Sequence, residues 1–249
     1  MEETPRVLAI VAHPDDECWC TGTLAAQVDA GLDVHLAVVC NGNMGGMPER
    51  SPAERAAVRE KEVRSAAQII GCELALMGIG DDEMMERYTS DYSRLEQEVR
   101  EVIRCVDPHL LIVPHPQDYH QHHRAVCELA LNASANAGNP SIQGKYPPAS
   151  RVPATLFMQP LPPTLFEPHI YADVSGTFER KIQALRCHAS QYVFLQGHHR
   201  TNLETLVTSA CTLHGAACAV GYAEAFALCN RLNRPTTIQE LAKFFPPPK

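Results

Sequence analysis

The sequence lacks the features that mark membrane-spanning, secreted or nucleic-acid-binding proteins. No hydrophobic run approaches the roughly 18 to 20 residues that a transmembrane helix needs. The acidic start is followed by an apolar run that soon ends at a histidine, which is not typical of a signal peptide. No basic stretch offsets the net charge of -8, which argues against nucleic acid or an anionic membrane as a partner. We therefore expect a cytoplasmic protein with no nucleic-acid and no membrane partner.

The sequence also lacks paired cysteines. Its ten cysteines occur singly in mostly apolar surroundings, and no CxxC motif is present. Cys18 and Cys20 have the wrong spacing for a zinc ribbon. This pattern indicates buried free thiols in a reducing compartment rather than a disulfide framework.

The sequence does contain an alternation of buried strands and helices. Continuous apolar runs predict strands at 6–12, 34–40, 73–77, 110–113, 154–158 and 169–174. Helices are predicted at 17–30, 53–70, 92–106, 177–187, 204–219 and 238–244. The alternation implies right-handed crossovers and a Rossmann-like α/β fold, a mostly parallel sheet with helices on both faces. We expect one domain over residues 1–249, with an irregular, proline-rich segment at 137–168 that lies near the site or an interface.

Four predicted loops follow the carboxyl ends of strands, and each carries polar or glycine residues: 13–17, 41–46, 78–83 and 114–123. In open parallel sheets, ligands bind beyond the carboxyl ends of the strands. The first loop reads HPDDE, and carboxylates at the edge of a core are costly unless something compensates them. A helix N-terminus, a cationic partner or a metal ion could do so.

The last of these loops is dense in histidine. Five of the twelve histidines lie between residues 109 and 123. A solvated polar loop would explain any single one, but this density after a buried strand favours metal binding. Catalytic zinc takes three protein ligands, commonly imidazole and carboxylate, and keeps one position for water. His13 and Asp16 are three residues apart and could point at one ion together with a histidine of the last loop. Asp15 would then stay free as the general base of a hydrolase.

Several motifs carry a resemblance to a known family. Residues 12–17 read AHPDDE, and about a hundred residues later 117–125 read QDYHQHHRA. Together with the glycines at 45–46, Arg59-x-x-Glu62 and the block 181–191, they resemble the PIG-L/LmbE family of zinc-dependent N-deacetylases, most of all its bacillithiol-type branch. The resemblance implies a hydrolase that removes an N-acetyl group from an N-acetylglucosamine derivative or a similar small N-acyl sugar, giving an amine and acetate.

The resemblance also implies roles for individual residues by position. His13, Asp16 and His123 would be the ligands of zinc, or of another divalent metal such as Fe²⁺. Asp15 would be the general base. His120 would donate to the tetrahedral oxyanion and protonate the leaving amine, and such stabilisation is commonly a large catalytic contribution.

The resemblance extends to the substrate pocket and to assembly. Asn43, Arg59 and Asp81 would line the sugar pocket. On the residues alone, Asn43 could simply belong to a turn, and Arg59 could be a surface salt-bridge partner. Close relatives form hexamers, so the resemblance further implies a homo-oligomer.

One position departs from the family pattern. The family usually has H-P-D-H in the second loop, where the aspartate orients the first histidine and raises its pKa. Here the loop is His120-Gln121-His122-His123. We expect the pKa of His120 to fall and its acid role to weaken, unless Asp118 or another carboxylate takes the place of the missing aspartate.

Two other functions stay open on the sequence. One is an amidase that acts on a different amide, like mycothiol-conjugate amidases, with the same site and another substrate. The other is a Rossmann-type nucleotide- or sugar-binding protein without turnover. The loop after the first strand has no GxGxxG pattern, which argues against the second alternative.

Overall fold

A seven-stranded sheet forms the centre of the protein in the computed structural model, which describes residues 3–160, 166–231 and 234–245. The sheet strands are β1 (Arg6–Val11), β2 (Asp33–Cys40), β3 (Glu73–Ile79), β4 (Leu110–Val113), β5 (Ala154–Met158), β6 (Ile170–Asp173) and β7 (Ala223–Leu228). Their order is β3-β2-β1-β4-β5-β7-β6. The first five are parallel, and β7 runs antiparallel to both neighbours. Two short strands, β8 (Asn230–Arg231) and β9 (Arg234–Pro235), pair antiparallel outside this sheet.

Helices cover both faces of this sheet. They are α1 (Thr21–Asp29), α2 (Pro52–Ile70), α3 (Asp81–Ser90), α4 (Tyr92–Val106), α5 (Gln121–Ala137), α6 (Phe178–Arg186), α7 (Ala189–Phe194), α8 (Leu203–Cys218) and α9 (Ile238–Leu241). Side chains of β1 alternate between two cores, as the two-residue period of a strand requires. Leu8 and Ile10 pack with α3, α4 and α5, whereas Val7 and Val11 pack with α1, α2 and α6. The predicted α/β class is therefore confirmed, and none of the helices described is long and apolar enough to cross a bilayer.

Several predicted bounds need correction. The helix predicted over 17–30 is a 3-10 turn at Asp16–Trp19 followed by α1, because Cys20 between them leaves helical geometry at φ -133°. Residues 78–83 were expected to be a loop, but β3 continues to Ile79 and the acidic residues 81–83 form the first turn of α3. Negative charge stabilises a helix N-terminus, which explains this start. Helices α3, α5 and α7 and strands β7, β8 and β9 were not predicted.

The first part of the proline-rich segment leads into the amino end of β5. It therefore lies at the end of the strands opposite the four loops. Residues 138–153 contain no helix or strand. Arg104 of α4, 3% exposed, donates to the carbonyl oxygens of Ala137, Asn139 and Ile142 and so fixes the start of the segment. Residues 161–165 lie outside the described residues. The expected position of the whole segment near the site or an interface stays a prediction.

A buried ion pair fixes α1 and the turn before it to the sheet. Lys181 of α6 and Glu224 of β7 are 1% and 2% exposed, and Nζ lies 2.5 Å from Oε1. The Glu224 carboxylate also accepts from the backbone nitrogens of Gly22 and Thr23, both at 2.8 Å, at the start of α1. Lys181 donates further to the carbonyl oxygen of Cys18. One pair therefore positions the segment that follows the AHPDDE motif.

Replacing Lys181 with methionine should destabilise the fold strongly. The substitution leaves Glu224 buried without its cation, and removing one partner of a buried pair costs about 3–5 kcal/mol. Urea unfolding followed by circular dichroism measures the change. The matched control is Arg180→Met, because Arg180 pairs with Asp29 at the surface, where a pair contributes about 1 kcal/mol or less. Equal losses in the two variants would contradict this assignment.

Candidate metal centre and active site

The four loops predicted to converge do meet around one cavity. It has a volume of about 640 Å³ and lies beyond the carboxyl ends of β1 to β4. All the residues predicted as metal ligands or catalytic groups line it, and so do Arg59 and Asp81. Its ionisable lining residues include His13, Asp15, Asp16, Arg59, Asp81, Asp82, Asp118, His120, His122 and His123.

Two of the predicted ligands, His13 and His123, contact the same carboxylate oxygen of the third, Asp16. Asp16 Oδ2 lies 3.2 Å from His13 Nδ1 and 3.2 Å from His123 Nε2. The same oxygen accepts from the backbone nitrogen of His13 at 2.7 Å, which closes the tight turn after β1. His123 reaches this point from the first turn of α5. The side chains are 12–15% exposed, so the cluster is accessible only from the cavity.

The donor set fits a divalent cation. Ligand bonds of about 2.0–2.1 Å in tetrahedral geometry separate neighbouring donor atoms by about 3.3 Å, close to the 3.2 Å between Asp16 Oδ2 and each of the two histidine nitrogens. Although burial opposes it, the Asp16 and Asp118 carboxylates raise the pKa of His123 to about 10. Likewise, the two histidines hold the pKa of Asp16 well below its usual value despite its burial. The cluster would therefore stabilise a positive charge at the point where the donor atoms meet.

Asp118 supports this donor set from behind. Its Oδ1 lies 3.1 Å from His123 Nδ1, and the side chain is 6% exposed. A carboxylate on the far nitrogen of a ligating histidine fixes its tautomer and its orientation. The sequence did not predict this contact between Asp118 and His123. The position of Asp118, two residues before His120, could have indicated that it supports the histidine loop.

His122, which replaces the family's aspartate, contacts His13 in addition to the expected His120. Its Nδ1 lies 2.9 Å from His13 Nε2. It therefore contacts the ring nitrogen of His13 that does not face Asp16. The ligand atoms of His13, Cys40 and His122 also lie within 4.8 Å of one another. Cys40 and His122 of this second group are buried, and burial raises the pKa of the Cys40 thiol above its usual value. Burial therefore opposes the formation of the thiolate that a metal would need as a ligand here.

Asp15 is held in an unusual backbone conformation beside the cluster. Its φ of 127° is rare for a residue other than glycine. Two neighbours hold it there: its backbone nitrogen donates to Glu17 Oε2 at 3.0 Å, and its Oδ1 accepts from Arg59 at 2.7 Å. Burial, partly opposed by the Arg59 charge, raises the pKa of Asp15 to about 6. The carboxylate is therefore suited to exchange a proton near neutral pH.

Glu17 in turn depends on a buried histidine. His188 is 0% exposed, and its Nε2 lies 2.5 Å from Glu17 Oε1. Burial opposes protonation, but the Glu17 carboxylate outweighs it and raises the pKa of His188. The block 181–191 thus supports the active-site loop through Lys181 and His188 rather than by lining the cavity with these two residues.

The side chain of Arg59 packs against the loop that contains Gly42 and Gly45. It is 3% exposed, and it donates to the carbonyl oxygen of Pro14 as well as to Asp15. A Cβ atom at Gly42 would lie 2.5 Å from Arg59 Cδ, and one at Gly45 would collide with the guanidinium. The glycines therefore admit the arginine. Its predicted contact with the sugar stays a prediction, whereas its contact with Asp15 is direct.

The other two predicted pocket residues tie the second loop to α3. Asn43, 9% exposed, donates to Asp82 Oδ1 at 2.7 Å and accepts from the backbone nitrogen of Asp81 at 2.8 Å. Asp81 accepts from the backbone nitrogens of Gly42 and Met44, at 2.9 and 3.2 Å. Asn43 is not among the residues lining the cavity, and Asp81 is. Their binding of substrate stays a prediction.

His120 caps α5, and this fixes which nitrogen carries its proton. Its Nδ1 accepts from the backbone nitrogen of His122 at 3.2 Å, so the neutral ring carries hydrogen on Nε2. Burial and the neighbouring histidines lower the pKa of His120 to about 4, which is the expected direction. Asp118 bonds the backbone nitrogen of His120 and the ring of His123. The alternative that Asp118 replaces the missing partner of the His120 ring is therefore wrong.

Comparisons with known proteins place the chain in a family. Residues 8–134, just over half of the chain, match the PIG-L model, described as GlcNAc-PI de-N-acetylase. The chain is 30% identical over 202 residues to diacetylchitobiose deacetylase of Thermococcus kodakarensis, covering 76% of this chain and 71% of that protein. It is 28% identical over 199 residues to a Bacillus anthracis protein named "Probable N-acetyl-alpha-D-glucosaminyl L-malate deacetylase 2", covering 77% and 84%.

Two further similarities broaden this comparison. A 4-oxalmesaconate hydratase of Pseudomonas putida is 26% identical over 216 residues, covering 81% of this chain and 80% of that protein. The solved structure of N,N'-diacetylchitobiose deacetylase from Pyrococcus horikoshii has a TM-score of 0.79 at 22% identity, covering 96% of this chain and 89% of that one, which shows the same fold. On the family match and the Thermococcus relative together, this chain belongs to the PIG-L (GlcNAc-PI de-N-acetylase) family.

Proposed function

We propose that this protein is a metal-dependent N-deacetylase that hydrolyses the acetamide of an N-acetylglucosamine derivative to a free amine and acetate. One observation carries the proposal: Asp16 Oδ2 lies 3.2 Å from two imidazole nitrogens, while the adjacent Asp15 pairs with Arg59 and stays outside the donor set. Two relatives are named as deacetylases of N-acetylglucosamine compounds, which supports this substrate class.

We propose that His13, Asp16 and His123 hold the ion, with zinc as the first choice and Fe²⁺ as the alternative. Imidazole and carboxylate donors suit either metal. When bound, such an ion acts as a Lewis acid, which polarises a carbonyl group and lowers the pKa of water towards about 7.

The protein's own residues carry the proton transfers. Asp15 accepts a proton from the attacking water, with Arg59 and Glu17 holding its carboxylate and backbone in place. His120 donates from Nε2 to the carbonyl oxygen as negative charge develops there. When the C–N bond breaks, Asp15 returns the proton to the leaving nitrogen. The acetic acid formed passes its remaining proton to the amine, so that acetate and an ammonium group leave and Asp15 is again ionised.

Replacing His120 with asparagine tests its role as an oxyanion donor. Asparagine keeps the helix cap, because its side-chain oxygen accepts from the backbone nitrogen of residue 122. It is too short to present a donor where Nε2 lies. We expect kcat to fall by about 10²–10³-fold, as when other oxyanion donors are removed, with metal content and melting temperature unchanged. Because His120 also has a ligand atom within 4.8 Å of those of His13 and His123, loss of metal would instead make it a ligand.

The direct test of function is acetate and amine release from a panel of N-acetylglucosamine conjugates by zinc-loaded protein. Release of a larger acid from another amide would favour the amidase alternative. Binding of conjugates without turnover would favour the non-catalytic alternative. Because one relative is a hydratase, hydration of 4-oxalmesaconate is a second candidate activity, recognised by loss of the substrate's double bond without release of an amine.

We further propose that the protein works in the cytoplasm and self-associates. The ten cysteines, all of them among the described residues, are not joined by disulfides, which fits a reducing compartment. The hexameric state is suggested by the family resemblance, and sedimentation analysis of purified protein would test it.

A further inference from the structure

We infer that the group attached to the acetylated sugar is neutral or cationic and that the site discriminates against anionic groups. This inference rests on the proposed deacetylase function and extends it by naming the charge of the second part of the substrate.

The charge of the cavity lining carries the inference. Among the residues the structure describes, one guanidinium, that of Arg59, lines the cavity, and no lysine does. The side chain of Arg59 is 4% exposed, and Nη2 lies 2.7 Å from Asp15 Oδ1, so a carboxylate of the site already offsets its charge. Five carboxylates face the same space: Asp15, Asp16, Asp81, Asp82 and Asp118. With neutral histidines, the formal charge of this lining stays negative even with a divalent ion bound.

Two of these carboxylates, Asp81 and Asp82, are not metal ligands, do not support a ligand as Asp118 does, and are not the general base. Asp81 and Asp82 open α3 and receive hydrogen bonds from uncharged amide donors: the backbone nitrogens of Gly42 and Met44, and the side chain of Asn43. These donors are uncharged, so the bonds cancel none of the formal charge of the two carboxylates. A cleft lined by one sign of charge repels a ligand of that sign throughout its volume. A substrate carboxylate that approached the β3 side of the cavity would meet this repulsion.

The uncharged part of the lining favours a neutral occupant. Met44 and Tyr119 line the cavity and are 56% and 63% exposed, large values for apolar side chains. Trp19, Phe194 and Leu195 line it as well. Aromatic and apolar faces bind the apolar faces of sugar rings and alkyl groups. The chemistry therefore fits a neutral glycoside such as an N-acetylated oligosaccharide better than a sugar conjugate that bears carboxylates.

A charge series of substrates tests this inference. Ethyl, 2-aminoethyl and carboxymethyl glycosides of N-acetylglucosamine have similar size and differ in charge, and each can be made as both anomers. We expect kcat/KM for acetate release from the ethyl and aminoethyl glycosides to exceed that for the carboxymethyl glycoside by about tenfold or more. An equal or higher value for the carboxymethyl glycoside would overturn the inference and leave the deacetylase function standing. No acetate from any glycoside would remove both.

A substitution at Met44, an exposed residue of the cavity lining, provides a second test of the inference. Met44→Arg adds a cation at an exposed position, and Met44→Gln is the uncharged control. The arginine variant should raise the ratio of kcat/KM for the carboxymethyl over the ethyl glycoside by about three- to tenfold, while the glutamine variant keeps the wild-type ratio. If the arginine variant also keeps the wild-type ratio, charge does not set the selectivity and the inference is wrong.

Discussion

Asp15→Asn should lower kcat by about 10²–10⁴-fold, the usual contribution of a general base, and leave the metal content unchanged. Asparagine keeps the shape of the side chain and can still accept from Arg59, but it cannot take a proton from water. It also tolerates positive φ better than most residues, so the unusual backbone at 127° should persist. Acetate release and metal analysis on the same preparation measure the two quantities.

The control for this variant is Asp29→Asn, which removes an exposed carboxylate paired with Arg180 far from the cavity. It should retain wild-type kcat. The general-base assignment fails if Asp15→Asn keeps activity within threefold of wild type. Loss of metal in that variant would show that Asp15 is a ligand and that the free carboxylate lies elsewhere.

His123→Ala should abolish both tight metal binding and activity. Changes behind a ligand typically cost about 10–100-fold in metal affinity, and the loss of a ligand should cost more. Asp118→Asn supplies the intermediate case, because Asp118 contacts the far nitrogen of His123. Metal affinity from competition with a chelator should therefore fall in the order wild type, Asp118→Asn, His123→Ala.

A histidine outside the cavity gives the matched control for that series. His35 lies on β2 beside Asp33, near the opposite end of the strand from the site, and His35→Gln should bind metal like wild type. If His123→Ala binds metal as tightly as His35→Gln, then His123 is not a ligand, and the order given above is wrong.

The strands and helices that the sequence predicted best are those whose pattern is local. The bounds of α4, β4 and β5 agree with the predicted ones, since a helical apolar period or a continuous apolar run defines each. Helix α5 was missed because its first turn is polar and rich in histidine. Its buried positions, among them Val126, Leu129, Ala130 and Ala133, have helical spacing and were a usable signal.

The residues of the site also fall into a part that local sequence motifs predicted and a part that they did not. The two motifs, with the family resemblance, pointed to residues whose side chains meet at Asp16 Oδ2 in the structure. The contacts that support them depend on the packing of distant helices, so the sequence could not supply them. Arg59 reaches Asp15 from α2, and His188 reaches Glu17 from the segment before α7.

His122 illustrates this limit most clearly. From sequence order, its substitution for aspartate was expected to affect His120, two residues away. In the structure its ring does contact that of His120, with centroids 4.8 Å apart, but its Nδ1 also lies 2.9 Å from His13 Nε2. The substitution therefore acts on a proposed metal ligand as well, where a neutral imidazole is a weaker hydrogen-bond acceptor than a carboxylate.

X-ray absorption at the zinc edge of protein loaded with one equivalent of zinc tests the central claim most directly. Coordination by His13, Asp16 and His123 predicts only nitrogen and oxygen neighbours, at about 2.0–2.2 Å. A sulfur neighbour at about 2.3 Å would place the ion at the group that contains Cys40. That result would contradict the account, since Asp15 would no longer lie beside the ion that activates water.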